Sequence, residues 1–242
     1  MIVGLDHIAI GAESLNFAQE TLAVCGYHCV FEQRHLENRC EKFRFLHAES
    51  LTHDIAIFHA STARHLPIEV TVHTKLHVVQ APLLISHWRC PQAHISRLRQ
   101  LAGPGSVITP ADSDPGLQGV SIASVDINYS MAFWTGAIGM RAVNGQPQML
   151  AHASPVPRWN WQLQVMPAAC GTAFTMLDDS GPNAIALLST DIASDCNLAM
   201  NAGATDLTPP FTLTVNKKPL KLALLRSPEG LMIELIEIQR SR

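Results

Sequence analysis

The chain has 242 residues, is 47% hydrophobic and 15% charged, and carries a formal net charge of −3 from 17 basic and 20 acidic residues. A chain this long buries a core without a disulfide or metal staple, and it holds one large domain or two of about 100–150 residues. It has no basic block and no apolar run near the ~20 residues of a membrane-spanning helix, so neither a nucleic-acid surface nor a membrane partner is expected. Eleven of the twelve histidines lie in the first 94 residues, so a function placed on histidine has to use the first half. The six cysteines form no CxxC and read as buried thiols. The opening Met1–His7 segment lacks the basic and apolar regions of a leader, which makes cytoplasm the expected compartment.

In chain order, Leu5–Gly11 alternates like a strand, and Ser14–Cys25 reads as an amphipathic helix with Ser14 as N-cap and Gly26 as stop. Strand-like runs follow at His28–Gln33, Lys42–His47 and Asp54–His59, giving β-α-β-β-β. Ile68–Val79 is an extra strand-like segment. Leu83–Trp88 then precedes a helix at Pro91–Ala102 and a short extended run at Ser106–Thr109. Gly103 to Gly116 is rich in turn residues and marks the boundary between halves. The pattern recurs as a strand at Gly119–Val125, a helix at Asn128–Ile138, and strands at Met140–Asn144, Gln148–His152 and Trp161–Met166. A further copy has a strand at Ala184–Leu188, a helix at Ser194–Ala202, and strands at Phe211–Val215, Lys221–Leu225 and Leu231–Ile238. The reading is three clear modules and one truncated one, the second.

Three motifs carry a family resemblance: Leu5-Asp6-His7-Ile8-Ala9-Ile10, the Phe133-Trp134 to Ile138-Gly139-Met140 helix ending, and Ser227-Pro228-Glu229-Gly230-Leu231-Met232-Ile233-Glu234-Leu235. Together with the repeat, they resemble the vicinal oxygen chelate superfamily, its glyoxalase-like branch in particular. That superfamily includes glyoxalase I, bleomycin resistance proteins and extradiol dioxygenases. Ser227 stands where the family's last motif usually has aspartate. The resemblance implies an α+β fold of tandem glyoxalase-like domains, at 1–112 and 117–242, whose paired β-α-β-β-β modules curl into open half-barrel clefts. It also implies a divalent metal (Mn, Fe, Co, Ni or Zn) that chelates two neighbouring oxygens of a small-molecule substrate.

By that resemblance, His7 holds the first-strand ligand position and Glu234 the last-strand ligand position, with Glu234 alternatively the catalytic base. Strand alternation agrees, placing His7 opposite Ile8, and Glu234 with Met232 and Ile236. The equivalents of His7 in the other modules are about Leu83, Ser121 and Ala184, and the first module's last-strand position falls near Ala56. His7 and Glu234 meet if the first and fourth modules share a cleft, and do not if pairing runs first with second. His53, Ile55, Ile57 and His59 share one strand face, and either face of that strand could be the cleft. The stripe Glu69, Thr71, His73, Lys75, His77 reads as the solvated face of a half-exposed strand. Arg158 and Trp159 offer a cation and a ring to a substrate, although a surface loop with a packed tryptophan is the plainer reading. Three functions compete: a metal-dependent lyase, isomerase or dioxygenase; a metal-free small-molecule binding protein of the bleomycin-resistance type; and a vestigial structural module. Pairing of two copies into a homodimer is left open.

Overall fold

The computed structural model describes residues 1–79, 82–168, 174–215 and 217–237. The first module runs β1 (Ile2–Gly11), α1 (Leu15–Ala23), β2 (Tyr27–Glu37), β3 (Thr52–Ala60) and β4 (Ile68–Val72). The second has only β5 (Leu84–Cys90), α2 (Ile95–Ala102) and β6 (Val107–Pro110). The third is β7 (Gly116–Ser124), α3 (Ile127–Gly136), β8 (Arg141–Ala142), β9 (Met149–His152) and β10 (Trp161–Pro167). The fourth is β11 (Gly181–Ser189), α4 (Ile192–Asn201), β12 (Phe211–Val215), β13 (Lys218–Arg226) and β14 (Met232–Glu237). Ile238, expected at the end of the last strand, and Cys170 lie outside the described residues. No helix among the described residues is long and apolar enough to cross a membrane.

Three helices begin on the same device. The side chains of Ser14, Asp126 and Asp191 accept the backbone N–H of Phe17, Tyr129 and Ser194, satisfying a donor the helix itself leaves free. The α2 helix has no side-chain cap and is entered through a 3-10 turn at Gln92–His94, so Pro91 lies outside the helix proper.

Lys42–His47 is not a strand. Cys40–Phe45 forms a 3-10 turn, with Lys42 N bonded to Arg39 O and Leu46 N to Phe43 O. Lys42 and Phe45, three residues apart, are its buried pair, a spacing that matches three residues per turn rather than strand alternation. The Asp178 carboxylate, from far along the chain, holds the turn's exit by accepting the N–H of His47 and Ala48. The third strand after α1 is therefore β4. The expected run to Val79 stops at Val72, so Lys75 and His77 leave the stripe. Of the described cysteines, Cys25, Cys90 and Cys196 are buried as expected, whereas Cys29 is half-buried and Cys40 exposed.

The strands form two sheets. The eight-stranded sheet has the order β12-β13-β14-β11-β1-β4-β3-β2, and the six-stranded sheet has the order β6-β5-β7-β10-β9-β8. The first module thus pairs with the fourth, and the second with the third, through antiparallel β1–β11 and β5–β7 contacts. Each sheet takes strands from both 1–112 and 117–242. Within the eight-stranded sheet β4 runs parallel to β1, and β14 runs parallel to β11.

Period-two alternation sorts these strands into two layers. Ile8, Ile10, Ile68, Val70, Ile185, Leu187, Ile233 and Leu235 join one core with the helices and the six-stranded sheet. On the opposite face, Ala9, Ile55, Ala184, Ala186, Met232 and Ile236 belong to a second apolar cluster, with Leu213, Leu222 and Leu224. This second face is the floor of the cleft.

Candidate metal centre in the eight-stranded cleft

The sheet register builds the site. Ala9 on β1 is opposite Glu69 on β4, and Ala186 on β11 is opposite Glu234 on β14. His7 pairs with Ala186, and Ala9 with Ala184, across the β1–β11 seam. The two modules are therefore related by an approximate two-fold axis through this seam. Under it Glu69 corresponds to Glu234 and His7 to Ala184. Residues two apart share a face, so His7, Glu69 and Glu234 all project into the cleft.

The donor atoms of His7, Glu69 and Glu234 lie within 4.8 Å of one another. His7 is buried, and its Nδ1 lies 2.9 Å from Asp6 Oδ2. That carboxylate fixes the ring with Nδ1–H donating outward and Nε2 facing the glutamates, the arrangement found for metal-binding histidines. His7 Nε2 is 3.6 Å from Glu69 Oε2, too far for a good hydrogen bond, and it is buried with no hydrogen-bond partner. A buried nitrogen without a partner, aimed between two carboxylates, is an arrangement that a bound cation would complete.

The electrostatics agree. Burial pushes the His7 pKa down, but the carboxylates of Glu69, Asp6 and Glu234 outweigh burial and raise it to about 9. Burial raises the Glu69 pKa and Glu234 raises it further, against the opposing charge of His7. The pocket therefore draws positive charge to the point where the three donors converge.

The cavity over this cluster measures about 130 Å³ and is walled by Ile55, Ile57, Leu213, Leu222 and Ile236, with Lys42 and His53 at its polar side. His53 stacks on His73, with ring centroids 5.2 Å apart and planes 10° apart. Burial first, then the charge of Lys42, lowers His53 to about 2 and His73 to about 4. The face of β3 that carries His53, Ile55 and Ile57 is thus a cleft face. Lys42 reaches it because the 3-10 turn packs Lys42 inward.

The sequence-predicted pair His7 and Glu234 is brought together, and Glu69 completes the set. The first module's last-strand position is Glu69, not near Ala56, because β4 rather than β3 pairs with β1. The stripe from Glu69 onward is correspondingly a cleft face and not a solvated one: Thr71 and His73 are buried. A signal for Glu69 was present, since Ile68-Glu69-Val70 repeats the Ile233-Glu234-Leu235 pattern. Ser227 performs a turn-closing role in the β13–β14 hairpin, its Oγ accepting the Leu231 N–H at 3.2 Å.

Trp159 lies in a 3-10 turn, Pro157–Trp159, packed over β1 and against the cleft's apolar cluster. A side chain on Gly4 would place its Cβ 2.4 Å from Trp159 Cβ, so glycine is what admits the tryptophan there. Trp159 lines a larger cavity of about 570 Å³ with His59, Leu188 and Asp6, and Asp6 also borders the metal cavity. The Arg158 side chain lies outside the described residues.

The six-stranded sheet is built differently. Ser121, at the position of His7, bonds His87 Nε2 at 2.6 Å and lies 3.4 Å from Gln164 Oε1. Burial lowers the His87 pKa. Among the described residues no metal-binding group of side chains forms on this sheet.

No family model matches the sequence, and no curated protein matches it. Solved structures do match. Glyoxalase I from Zea mays superposes with a TM-score of 0.60 at 11% identity, covering 97% of this chain and 92% of that one. A point variant of the same maize enzyme, in which one glutamate is replaced by glutamine, gives 0.63 at 11% identity, covering 97% and 93%. A protein from Bacillus subtilis with a provisional dioxygenase assignment gives 0.58 at 12% identity, covering 98% and 85%. At such identities the likeness is one of fold, and it extends over nearly the whole chain. The chain has the α+β tandem glyoxalase fold, built from three β-α-β-β-β modules and one shortened to β-α-β, paired into two sheets.

Proposed function

We propose that the protein is a divalent-metal-dependent enzyme of the glyoxalase or dioxygenase type, acting on a small oxygenated molecule in the eight-stranded cleft. The observation that carries this is the convergence of His7, Glu69 and Glu234 around an orphaned His7 Nε2. One nitrogen and two carboxylates suit Mn, Fe, Co, Ni or Zn. Three protein ligands with alanine at the fourth symmetric position leave room for substrate oxygens, as a catalytic site needs. A bound ion would supply Lewis-acid chemistry toward two neighbouring oxygens of the substrate.

The chain's own residues do the rest. Asp6 orients His7. The apolar wall of Ile55, Ile57, Leu213 and Leu222 excludes water and receives the apolar part of a small ligand. Glu234 faces the same space and is placed to take a proton from the substrate. Trp159 and the cavity it shares with Asp6 offer the substrate's approach, with Arg158 on the same turn. Both modules of the cleft come from one chain, so a homodimer is not needed to complete it.

The test is metal content of full-length protein purified without chelator, compared with His7→Ala and Glu69→Gln. Loss of one equivalent in both variants supports the reading, as does a visible-spectrum change when acetohydroxamate, a ligand with two adjacent oxygens, is added to Co²⁺-loaded wild type but not to Co²⁺-loaded His7→Ala. If wild type and both variants hold the same metal after loading with Mn, Fe, Ni and Zn, the cleft is metal-free and the reading fails.

A further inference from the structure

A second group of metal-binding side chains lies outside the cleft. His47 follows the 3-10 turn after β2, His77 lies beyond β4, and Asp179 lies just before β11. We propose that His47, His77 and Asp179 form a second divalent-metal site that clamps these three loops together.

Asp179 is only 3% exposed, and its two oxygens have separate tasks. Oδ2 accepts the Met176 N–H at 2.7 Å. Oδ1 faces both imidazoles, 2.8 Å from His47 Nε2 and 3.2 Å from His77 Nδ1. The ring centroids lie 3.9 Å apart, so two imidazoles are pressed side by side over a single carboxylate oxygen. The three donor atoms fall within 4.8 Å of one another. A tetrahedral zinc at ~2.1 Å from each donor needs them about 3.4 Å apart, a small adjustment from what is built.

The backbone holds the set in place. Asp178 accepts the His47 N–H through its carboxylate at 2.9 and 3.0 Å, and its carbonyl accepts the His77 N–H at 2.8 Å. The same dipeptide therefore positions both histidines and supplies the third ligand. The Asp179 carbonyl sits so close to Gly11 that a Cβ there would lie 2.0 Å away, which fixes Asp179 against β1. Preorganisation of this kind by surrounding hydrogen bonds is what a metal site requires.

Without an ion, both rings donate an N–H to one oxygen. With an ion, each ring shifts its proton to its other nitrogen and presents a lone pair inward, so no net proton is lost. Two imidazoles and a carboxylate favour Zn²⁺, Co²⁺, Ni²⁺ or Cu²⁺ over Mg²⁺ or Ca²⁺. The side chains of His47 and His77 are 38% and 53% exposed, so the site opens to solvent and fills from it. Its place ties the first module to the entry of the fourth, making it a structural clamp on the cleft-forming sheet.

The test uses chelator-stripped full-length protein titrated with Zn²⁺ alone by calorimetry. In a His7→Ala/Glu69→Gln background, which disables the cleft, one equivalent of Zn²⁺ should still bind and raise the melting temperature. Adding His77→Gln or, separately, His47→Gln should weaken that binding at least tenfold. Both rings are half-exposed, so neither variant removes core packing, and metal-free melting temperatures verify that each is folded. No Zn²⁺ binding in the cleft-disabled protein, or unchanged binding in both histidine variants, overturns the proposal. The reverse experiment, His77→Gln with the cleft intact, reads the cleft ion alone, so failure of one site is distinguishable from failure of the other.

Discussion

His7 shows how much one side chain depends on its neighbours. Its burial, its bond to Asp6 and its unpaired Nε2 together match the geometry that a metal ligand needs. Replacing Asp6 with asparagine should leave the ring in place yet lower its basicity and orientation, weakening metal binding about 10–100-fold. Calorimetry on Asp6→Asn checks this, and unchanged affinity would remove Asp6 from the site. The stacked pair His53 and His73 predicts acid sensitivity. Both folded-state pKa values, about 2 and about 4, lie below the unfolded value near 6.5. Above pH ~6.5 both rings are neutral in either state, so their contribution to stability is fully present. As pH falls below it, the unfolded chain takes up protons that the folded chain refuses, and stability drops by up to about 1.4 kcal/mol per pH unit for each ring. For His73 the loss runs down to pH about 4. Urea unfolding between pH 7 and 5 should show a shallower slope in His73→Asn than in wild type; equal slopes would contradict it. At this scale the strand faces of His7 and Glu234 were legible through alternation, while their candidate roles came from the family that the motifs resemble. Lys42 was not, because a lysine gives no signal of pointing inward.

Among the elements, three of the four described helices repeat one N-cap position and the strands repeat one alternation. Ser14→Ala removes the cap of α1 and should cost about 1 kcal/mol, measured by chemical denaturation. Gly11→Ala places a methyl group against the Asp179 carbonyl, a backbone atom that cannot swing away, so a loss of roughly 1–3 kcal/mol is expected. A neutral result there would mean that the loop before β11 yields easily. Most helices and strands were readable from periodicity and caps. The 3-10 turn at Cys40–Phe45 was not. Its Lys42-Phe43-Arg44-Phe45 run alternates polar and apolar residues much as a strand does, and the Asp178 carboxylate that holds its exit lies some 130 residues away in sequence. That one misreading displaced the first module's last strand and hid Glu69.

For the whole molecule, the cleft exists because β1 pairs with β11. A chain cut between residues 112 and 117 separates both central seams, β1–β11 and β5–β7. Each fragment should therefore be unfolded or aggregated alone and recover native circular dichroism only when the two are mixed. A folded, monomeric 1–112 fragment would show that the halves are self-sufficient domains. The sequence repeat identifies four modules but not which of them share a sheet, since any pairing places a first strand beside another first strand.

The sequence by itself determined the module repeat, the α+β class, the strand faces of His7 and Glu234, and the absence of a histidine at Ser121 and Ala184. These follow from local periodicity, which each segment carries in its own residues. Only the tertiary structure decided that the first and fourth modules meet, that Glu69 joins His7 and Glu234, and that His47, His77 and Asp179 converge at a second point. Those facts depend on contacts between residues up to more than two hundred positions apart, where hydrogen-bond register and packing against a shared core select the partner.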